Sequence, residues 1–556
     1  MVRALGFPRE HSPSFPRRPG PVLARGGMVA AAHPLTVATG LEILQRGGNA
    51  VDAAVAAALT ASVVMPEMCG LGGDLFAIVY APGRPPLAFL GSGVAPRAAT
   101  LDQMRRAGAE AGHPGKMPLQ GPLSIGVPGM VDAHGALLGA FGGRPLAELA
   151  EPAIRYADQG FALTPFGSYV IGLCKPLLAS HPTSAAVFLP GGEAPGVGQI
   201  LRQPDLARTL RLLAAEGPDA FYSGDLGRRI ADFVGNIGGA LSAEDLAGHR
   251  TVMQPPIDTR YRGHTIWQTG LPSQGLILLE ALNIVEQTDS ARLAAGDAAS
   301  IHILAEATKL AFADRLSHAL DPVFGKPPLR ALLSKDWAAR RYAQIDPERA
   351  ADDAPAGALQ DGDTTYLCVA DRAGMMVSLI QSVSSAFGSG IVAGDTGVLM
   401  NNRVGRGFTL EQGHPNLFAP GKRTMHTLNC YMVADTSGAA VIAGGSPGGD
   451  GQPQWNLQAL VGLIDSGMDA QAAVEIPRWS IWPGTDPADR PNPVELRVET
   501  RLEEAVLADL ERRGHRLRRT GAWGGGGAAQ IIARDTDSGV LAGGSDPRAE
   551  GLALGF

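Results

Sequence analysis

The sequence predicts a layered α+β protein, on three observations. Helical patterns dominate up to about residue 330, three strand-turn-strand units follow an acidic stretch at Ala351 to Asp363 (ADDAPAGALQDGD), and two later helical patterns supply a layer to pack on them. With 556 residues, 45% of them hydrophobic and 18% charged, the chain has ample material for a core, which excludes disorder as its dominant state.

Val37, Leu41 and Leu44 recur at helical spacing, and Gly47-Gly48 ends that helix. Asn49 then caps a second helix with Asp52 in its first turn, so the pair reads as a helical hairpin. Further helical patterns cover Asp205 to Ala215, Gly227 to Val234, Gly275 to Glu286 and Ile301 to Leu316. The acidic stretch has the composition of an exposed loop. After it, Thr365 to Ala370 with Met375 to Gln381, Tyr431 to Ala434 with Ala439 to Ala443, and Gln530 to Ala533 with Val540 to Gly543 each flank a turn rich in Asp and Gly, implying an antiparallel sheet. Helices are expected at Trp455 to Ser466 and Glu503 to Arg513, and a strand at Leu75 to Tyr80 behind Gly70-Leu71-Gly72-Gly73-Asp74.

Composition narrows the function. Forty-seven basic against 54 acidic residues give a net charge of −7, with no run of five like charges, so nucleic acid is not an expected partner. Cys69, Cys174, Cys368 and Cys430 lie far apart, without a CxxC pair, and read as free thiols with no zinc site. Met1 to Met28 holds no apolar run long enough for a secretion signal, and Ala50 to Met65 is too short and too Ala-rich for a membrane span, so a cytoplasmic protein without membrane attachment is expected. Gly and Pro together make up roughly a fifth of the chain, spread along it, which signals many tight turns.

Two places suggest chemistry. The junction Asp361-Gly362-Asp363-Thr364-Thr365 puts a threonine at the start of a strand behind a loop. A Thr hydroxyl needs a base to become a nucleophile, and its own α-amine serves once the preceding peptide bond is cut. A plain turn entering a strand fits the same residues. Gly444-Gly445-Ser446-Pro447-Gly448-Gly449 follows a strand, and residues without Cβ let backbone N–H groups converge on an oxyanion; a glycine-rich hairpin exit is the alternative. The Gly70 to Gly73 cluster lacks the Lys and the spacing of a nucleotide site.

The motifs His33-Pro34-Leu35-Thr36, Gly47 to Ala54, Gly70 to Gly73, Val127-Pro128-Gly129, Phe221 to Gly224, Asp363-Thr364-Thr365, Phe387 to Gly390, Asn401-Asn402, Ser446 to Gly449 and Asp546-Pro547-Arg548, in this order, resemble those of the γ-glutamyltranspeptidase family. These are N-terminal-nucleophile (Ntn) hydrolases, made as one precursor that cuts itself into two subunits. The resemblance implies a four-layer αββα sandwich built jointly by a large subunit (26–363) and a small subunit (364–556) as one composite domain, after an N-terminal extension (1–25) expected to be disordered. It implies processing at Asp363 and Thr364, with Thr364 as nucleophile and Gly448 and Gly449 in the oxyanion hole. Ser382 stands where the family usually has a Thr that hydrogen-bonds the nucleophile. Thr365 either helps position the new N-terminus or is simply a β-branched strand residue. No cofactor and no metal are implied, and the expected partner is the chain's own other fragment, as a heterodimer or a dimer of heterodimers.

This chain departs from the family pattern where the substrate is held. The Arg that clamps the α-carboxylate of a γ-glutamyl group is replaced by Ser92, and the acidic residue that receives its ammonium gives way to the stretch Arg403-Val404-Gly405-Arg406. His426-Thr427 replaces a serine pair. These features, with His414 to Asn416 and Gly448 to Gln452, resemble the branch containing oxamate amidohydrolases. The expected substrate is therefore a small carboxylate-bearing amide, with Arg403, Arg406, His426, Thr427, Ser384 and Ser92 as binding residues. Each Arg has the alternative of being a surface residue or of pairing with a carboxylate such as Asp450, and His426 that of a satisfied buried imidazole. The competing functions are a γ-glutamyltransferase or glutathione hydrolase, a glutaryl or cephalosporin-type acylase, and an unprocessed inactive scaffold.

Overall fold

The computed structural model describes residues 5, 20–351, 364–483 and 494–556. Asp363 and most of the acidic stretch before it lie outside the described residues.

Two seven-stranded sheets lie face to face. The first runs, edge to edge, through Leu552–Gly555, Gly27–Ala31, Thr365–Asp371, Met376–Ser382, Asp74–Tyr80, Leu87–Gly91 and Val252–Gln254. The second runs through Val22–Ala24, Leu541–Ser545, Gln530–Arg534, Ala440–Gly445, Tyr431–Ala434, His264–Gln268 and Ile257–Tyr261. Every neighbouring pair within them is antiparallel.

Strand alternation builds three cores. In Thr365–Asp371, Tyr366, Cys368 and Ala370 pack with Phe76, Met432 and Ile532 between the sheets. Leu367 and Val369 point the other way, into the helices Pro34–Gln45 and Ala50–Val64. Tyr431, Val433 and Ile442 of the second sheet meet Gly275–Val285, Ala298–His318 and Gly451–Ile464. Helix, sheet, sheet and helix thus form the four-layer αββα sandwich of an Ntn hydrolase.

One helix sets the position of the strand that begins beside Thr364. Asn49 and Asp52 close a capping box on Ala50–Val64, and the Ala50 N–H donates to Asp371 Oδ2 at 2.9 Å, fixing the helix start to the strand end. Fifteen helical residues and seven strand residues each span about 22 to 23 Å. The helix therefore finishes beside the strand start, where Thr365 Oγ1 lies 3.5 Å from Met65 Sδ. All fifteen helix residues are buried, and the run of alanines permits the close approach.

Most predicted elements appear within a few residues of their expected bounds, but three expectations need correction. The first half is not simply helical, because Gly27–Ala31, Leu87–Gly91, Val252–Gln254, Ile257–Tyr261 and His264–Gln268 are strands. Several are buried on both faces or very short, so they carry no polar alternation. The three hairpins do not share one sheet: the first lies in one sheet and the other two in its partner. Finally, Val22–Ala24, assigned from sequence to a disordered extension, pairs with Leu541–Gly543 as an edge strand.

Candidate active site

Thr364 stands one residue before its strand and is 2% exposed. The register pairs Thr365 with Gln381, Ser382 with Asp74, and Leu75 with Gly91. Extending these pairings by one residue puts Thr364, Ser382, Asp74 and Ser92 in one row across four adjacent strands. Their side chains share the face that looks toward the second sheet, so the row forms the polar rim of the inter-sheet core. Gly73 keeps the strand ends close here, since a Cβ on it would lie 2.4 Å from the Ser382 carbonyl oxygen.

From the second sheet, the turn after Ala440–Gly445 brings Gly448 to the same place. Gly448 has φ 121° and Gly449 φ 51°, and a Cβ on Gly448 would lie 2.1 Å from the Trp455 ring. Only glycine fits at Gly448. Gln274 Nε2 donates to the Gly449 carbonyl at 2.8 Å and also to the Thr427 carbonyl, tying both segments together.

Thr364 and Gly448 line one cavity of about 700 Å³. Its outer wall is the helix Pro165–Leu173, which presents Phe166, Tyr169, Val170 and Leu173 at helical spacing. Tyr169 and Leu173 remain 67% and 66% exposed. Met65, Glu67 and Met68, from the end of the alanine-rich helix, form another wall, and His33, Gln120, Thr164, Ser385, Asn402, Arg548 and Glu550 contribute polar groups. Arg548 is occupied by Glu499 at 2.6 Å and Asp546 at 3.0 Å.

The expected binding residues, with Ser382 and Gly449 of the expected catalytic set, lie off this cavity. Arg403, Arg406, His426, Thr427, Ser384, Ser92, Ser382 and Gly449 are not among the lining residues of this cavity. Arg403 Nε donates to Asp74 Oδ2 at 2.9 Å, so its carboxylate partner is Asp74, while Asp450 pairs with Arg315. Arg406 donates to the Ser384 carbonyl at 2.7 Å. His426 lies on Phe76, accepts the Leu428 N–H on Nδ1, and donates Nε2–H to Asp74 at 3.1 Å. Burial first, then the Arg403 charge, lowers its pKa to about 4, so the ring is neutral. Burial alone would raise the Asp74 carboxyl, but the His426 and Arg403 contacts outweigh it and hold it below its ordinary range. Asp74 Oδ1, Ser92 Oγ and Ser384 Oγ are buried without a hydrogen-bond partner among the described residues. Ser384 carries φ 92°, a strained backbone for a residue with a Cβ, and its N–H donates to Ser382 Oγ at 2.7 Å.

Sequence reasoning missed Asp74, Glu67, Gln274 and the helix Pro165–Leu173. Asp74 had a signal, a lone acid opening an apolar strand; the others are recognisable only once the chain is folded. Among the described residues, His302, Glu306 and His515 place potential metal-ligand atoms within 4.8 Å of one another. They do not line the cavity, and they are already satisfied: His302 pairs with His515 at 2.9 Å and Glu306 holds the Lys309 ammonium at 2.7 Å.

Comparison with known proteins places this arrangement. A family model described as gamma-glutamyltranspeptidase matches residues 36–556. The chain is 37% identical over 540 residues to the glutathione hydrolase-like YwrD proenzyme of Bacillus subtilis, covering 96% of this chain and 99% of that protein. It is 36% identical over 542 residues to the oxamate amidohydrolase proenzyme of Klebsiella pneumoniae, covering 95% and 98%. The crystal structure of cephalosporin acylase from Bacillus halodurans superposes with a TM-score of 0.88 at 35% identity, covering 99% of both chains. The chain therefore belongs to the γ-glutamyltranspeptidase family, as an Ntn-type amidohydrolase or acyltransferase.

Proposed function

We propose that the chain is an autoprocessing threonine amidohydrolase acting on an amide whose acyl group ends in a carboxylate, of glutaryl length, and whose leaving amine is bulky and largely apolar. The observation that carries this reading is Thr364 at the meeting point of two environments: the polar row through Ser382, Asp74 and Ser92, and the cavity walled by Phe166, Tyr169 and Leu173.

In maturation, Thr364 Oγ attacks the Asp363 carbonyl, the acyl group shifts from nitrogen to oxygen, and water hydrolyses the resulting ester, freeing the Thr364 amine and leaving fragments 1–363 and 364–556 as a heterodimer. In turnover, that amine takes the Oγ proton as Oγ adds to the substrate carbonyl. The N–H groups of Gly448 and Gly449 receive the oxyanion, and Ser382 holds the nucleophile. The ammonium protonates the departing amine, and water releases the acid from the ester.

Distance supports the longer acyl group. Adjacent strands lie about 4.8 Å apart, so Asp74, and Arg403 on it, stand about 10 Å from Thr364. A two-carbon acyl group puts its carboxylate carbon about 1.5 Å from the reacting carbonyl, and a five-carbon one about 5 Å away. The longer group suits Arg403. Cations gather around the row: Arg403 pairs with Asp74, Arg406 donates to the Ser384 carbonyl and Arg423 to the Ser92 carbonyl. A second reading, γ-glutamyl hydrolysis, gains support from Glu67 on the cavity wall, a carboxylate suited to a substrate ammonium.

The test combines maturation with a substrate panel. Wild type is expected to run as two fragments with Thr at the new N-terminus, and Thr364→Ala as one inactive chain. Glutaryl-p-nitroanilide is expected to be cleaved faster than γ-glutamyl-p-nitroanilide or oxamate. Faster γ-glutamyl cleavage overturns the acyl assignment, and release from oxamate alone restores the small-amide expectation. An uncut, inactive wild type would leave the scaffold reading.

A further inference from the structure

Gln274 is fully buried just ahead of the helix Gly275–Val285, and its side chain does not cap that helix. Nε2 instead donates to the Gly449 carbonyl, at 2.8 Å, and to the Thr427 carbonyl. The backbone around it is pinned to the same neighbourhood. The Gln274 N–H donates to the His426 carbonyl at 2.9 Å, the His426 N–H to the Pro272 carbonyl at 2.8 Å, and Ser273 Oγ to the Leu428 carbonyl at 2.6 Å. Two carbonyl acceptors fix which way the amide faces, since the reversed amide would set oxygen against oxygen. Oε1 is then buried without a hydrogen-bond partner among the described residues. An unmet buried oxygen costs stability, so an apolar side chain of this length would suit the fold better. That cost sets Gln274 apart from an ordinary core residue.

The nitrogen acts on the turn whose N–H groups the reaction uses. Gly448 and Gly449 have φ 121° and 51°, and a pair of glycines resists rotation less than any other residues would. The Gly449 N–H lies in the peptide plane that carries the Gly448 carbonyl, which accepts the Gly451 N–H at 2.8 Å. The next plane carries the Gly449 carbonyl, held by Gln274 Nε2 at 2.8 Å and by the Gln452 N–H at 3.3 Å. With both planes held, the Gly449 N–H keeps one direction; without Gln274, only the longer bond restrains the second plane. We propose that Gln274 is a positioning residue for turnover, locking the peptide planes at Gly449 so that the glycine N–H groups stay aimed at the oxyanion. This rests on the reading of Gly448 and Gly449 as the oxyanion hole. Gln274 belongs to fragment 1–363 and the turn to fragment 364–556, so each fragment supplies part of the device.

Donors fixed in advance matter where charge develops, and much less for binding the uncharged amide. Loss of the clamp should therefore fall on kcat and spare KM. It should fall equally on a tetrahedral mimic. In 4-boronobutanoic acid, boron replaces the carbonyl carbon of a glutaryl group. It accepts Thr364 Oγ and becomes tetrahedral, with a hydroxyl where the oxyanion would stand.

Two substitutions test the clamp in the processed enzyme. Gln274→Met keeps the length of the side chain and removes both bonds. Gln274→Glu keeps the shape, and an acid pressed on two carbonyl oxygens stays protonated and donates one bond of the two. The assay uses the substrate of the panel above that wild type cleaves fastest. The inhibitor is 4-boronobutanoic acid, or its 2-amino derivative where that substrate is the γ-glutamyl one. In Gln274→Met, kcat is expected to fall about tenfold, less than for a donor removed outright, with KM within twofold of wild type and the boronate bound about tenfold more weakly. Gln274→Glu is expected between Gln274→Met and wild type on both measures. A Gln274→Met enzyme that keeps its kcat, or binds the boronate as tightly as wild type, overturns the proposal. So does failure of both variants to give a folded, two-fragment enzyme, since the side chain would then serve the fold or the processing step. Failure of the underlying reading looks different: an active Gly448→Ala enzyme, or a wild type without Thr at a new N-terminus, removes the oxyanion role of the turn and this proposal with it, whatever the Gln274 variants do.

Discussion

Asp74→Asn is the sharpest probe of the polar row. Asp74 is fully buried, and its Oδ2 accepts from both Arg403 and His426. The substitution conserves shape but removes the negative charge that pairs with the Arg403 guanidinium, itself 4% exposed. Breaking such a buried pair costs about 3 to 5 kcal/mol. His426 does not share the burden: its ring is neutral, and it can donate to an amide oxygen instead. The charge of the row nevertheless rises by one, so a carboxylate-bearing acyl group should bind more tightly. Thermal unfolding followed by circular dichroism is expected to show a clear loss of stability. In parallel, kcat/KM should rise for glutaryl-p-nitroanilide relative to butyryl-p-nitroanilide. Asp74→Asn combined with Arg403→Met removes both charges and should recover most of the lost stability. An Asp74→Asn variant as stable as wild type, with an unchanged glutaryl-to-butyryl ratio, would refute the assignment of the pair and of the row as an anion site.

Further expectations follow from the same geometry. Gly448→Ala forces a Cβ against Trp455 at a φ that disfavours it, and should lower kcat by about 100-fold or more; activity within threefold of wild type would remove Gly448 from the oxyanion role. Tyr169→Ser with Leu173→Ser should raise KM for aryl amides about tenfold while leaving small amides unaffected, and equal effects on both would deny the helix a part in substrate binding. His33, His134 and His426 are buried with pKa values lowered to about 4 from 6.5. The unfolded chain therefore binds more protons as pH falls below 6.5, and stability should drop steeply between pH 6.5 and 4, by up to about 3 kcal/mol for each ring. Above pH 7 these rings contribute no slope. Unfolding midpoints that stay flat from pH 7 to 5 would contradict their burial as neutral groups.

The second half of the chain was largely legible in its sequence, because hairpins and helix caps are local signals: Asp371 to Gly374 and Asp435 to Gly438 are turns whatever surrounds them. The strands Gly27–Ala31 and Leu87–Gly91 were not, since a strand enclosed between a helical layer and a second sheet looks merely apolar. At the site, the loop-to-strand junction at Thr364 and the glycine turn at Gly448 stood out through local chemistry. The partner of Arg403 did not. Asp74 lies 329 residues away in sequence, and only the order of strands across the sheet brings the two together. Asp450, the nearer candidate in sequence, is claimed by Arg315 from another helix. Charges in this rim are matched by topology, which no spacing rule encodes.

The strand order carries a last consequence. Segments from either side of position 363 alternate within each sheet: Gly27–Ala31 is held between Leu552–Gly555 and Thr365–Asp371, Met376–Ser382 adjoins Asp74–Tyr80, and in the second sheet Val22–Ala24 and His264–Gln268 bracket four strands from the later part of the chain. A cut before Thr364 therefore severs the backbone without opening any seam between bodies that fold separately. The two pieces are interleaved like the fingers of clasped hands, so neither can depart without dismantling both sheets. Mature enzyme should melt in a single transition, and mixing differently labelled preparations should yield no exchanged heterodimers until the fold itself is lost.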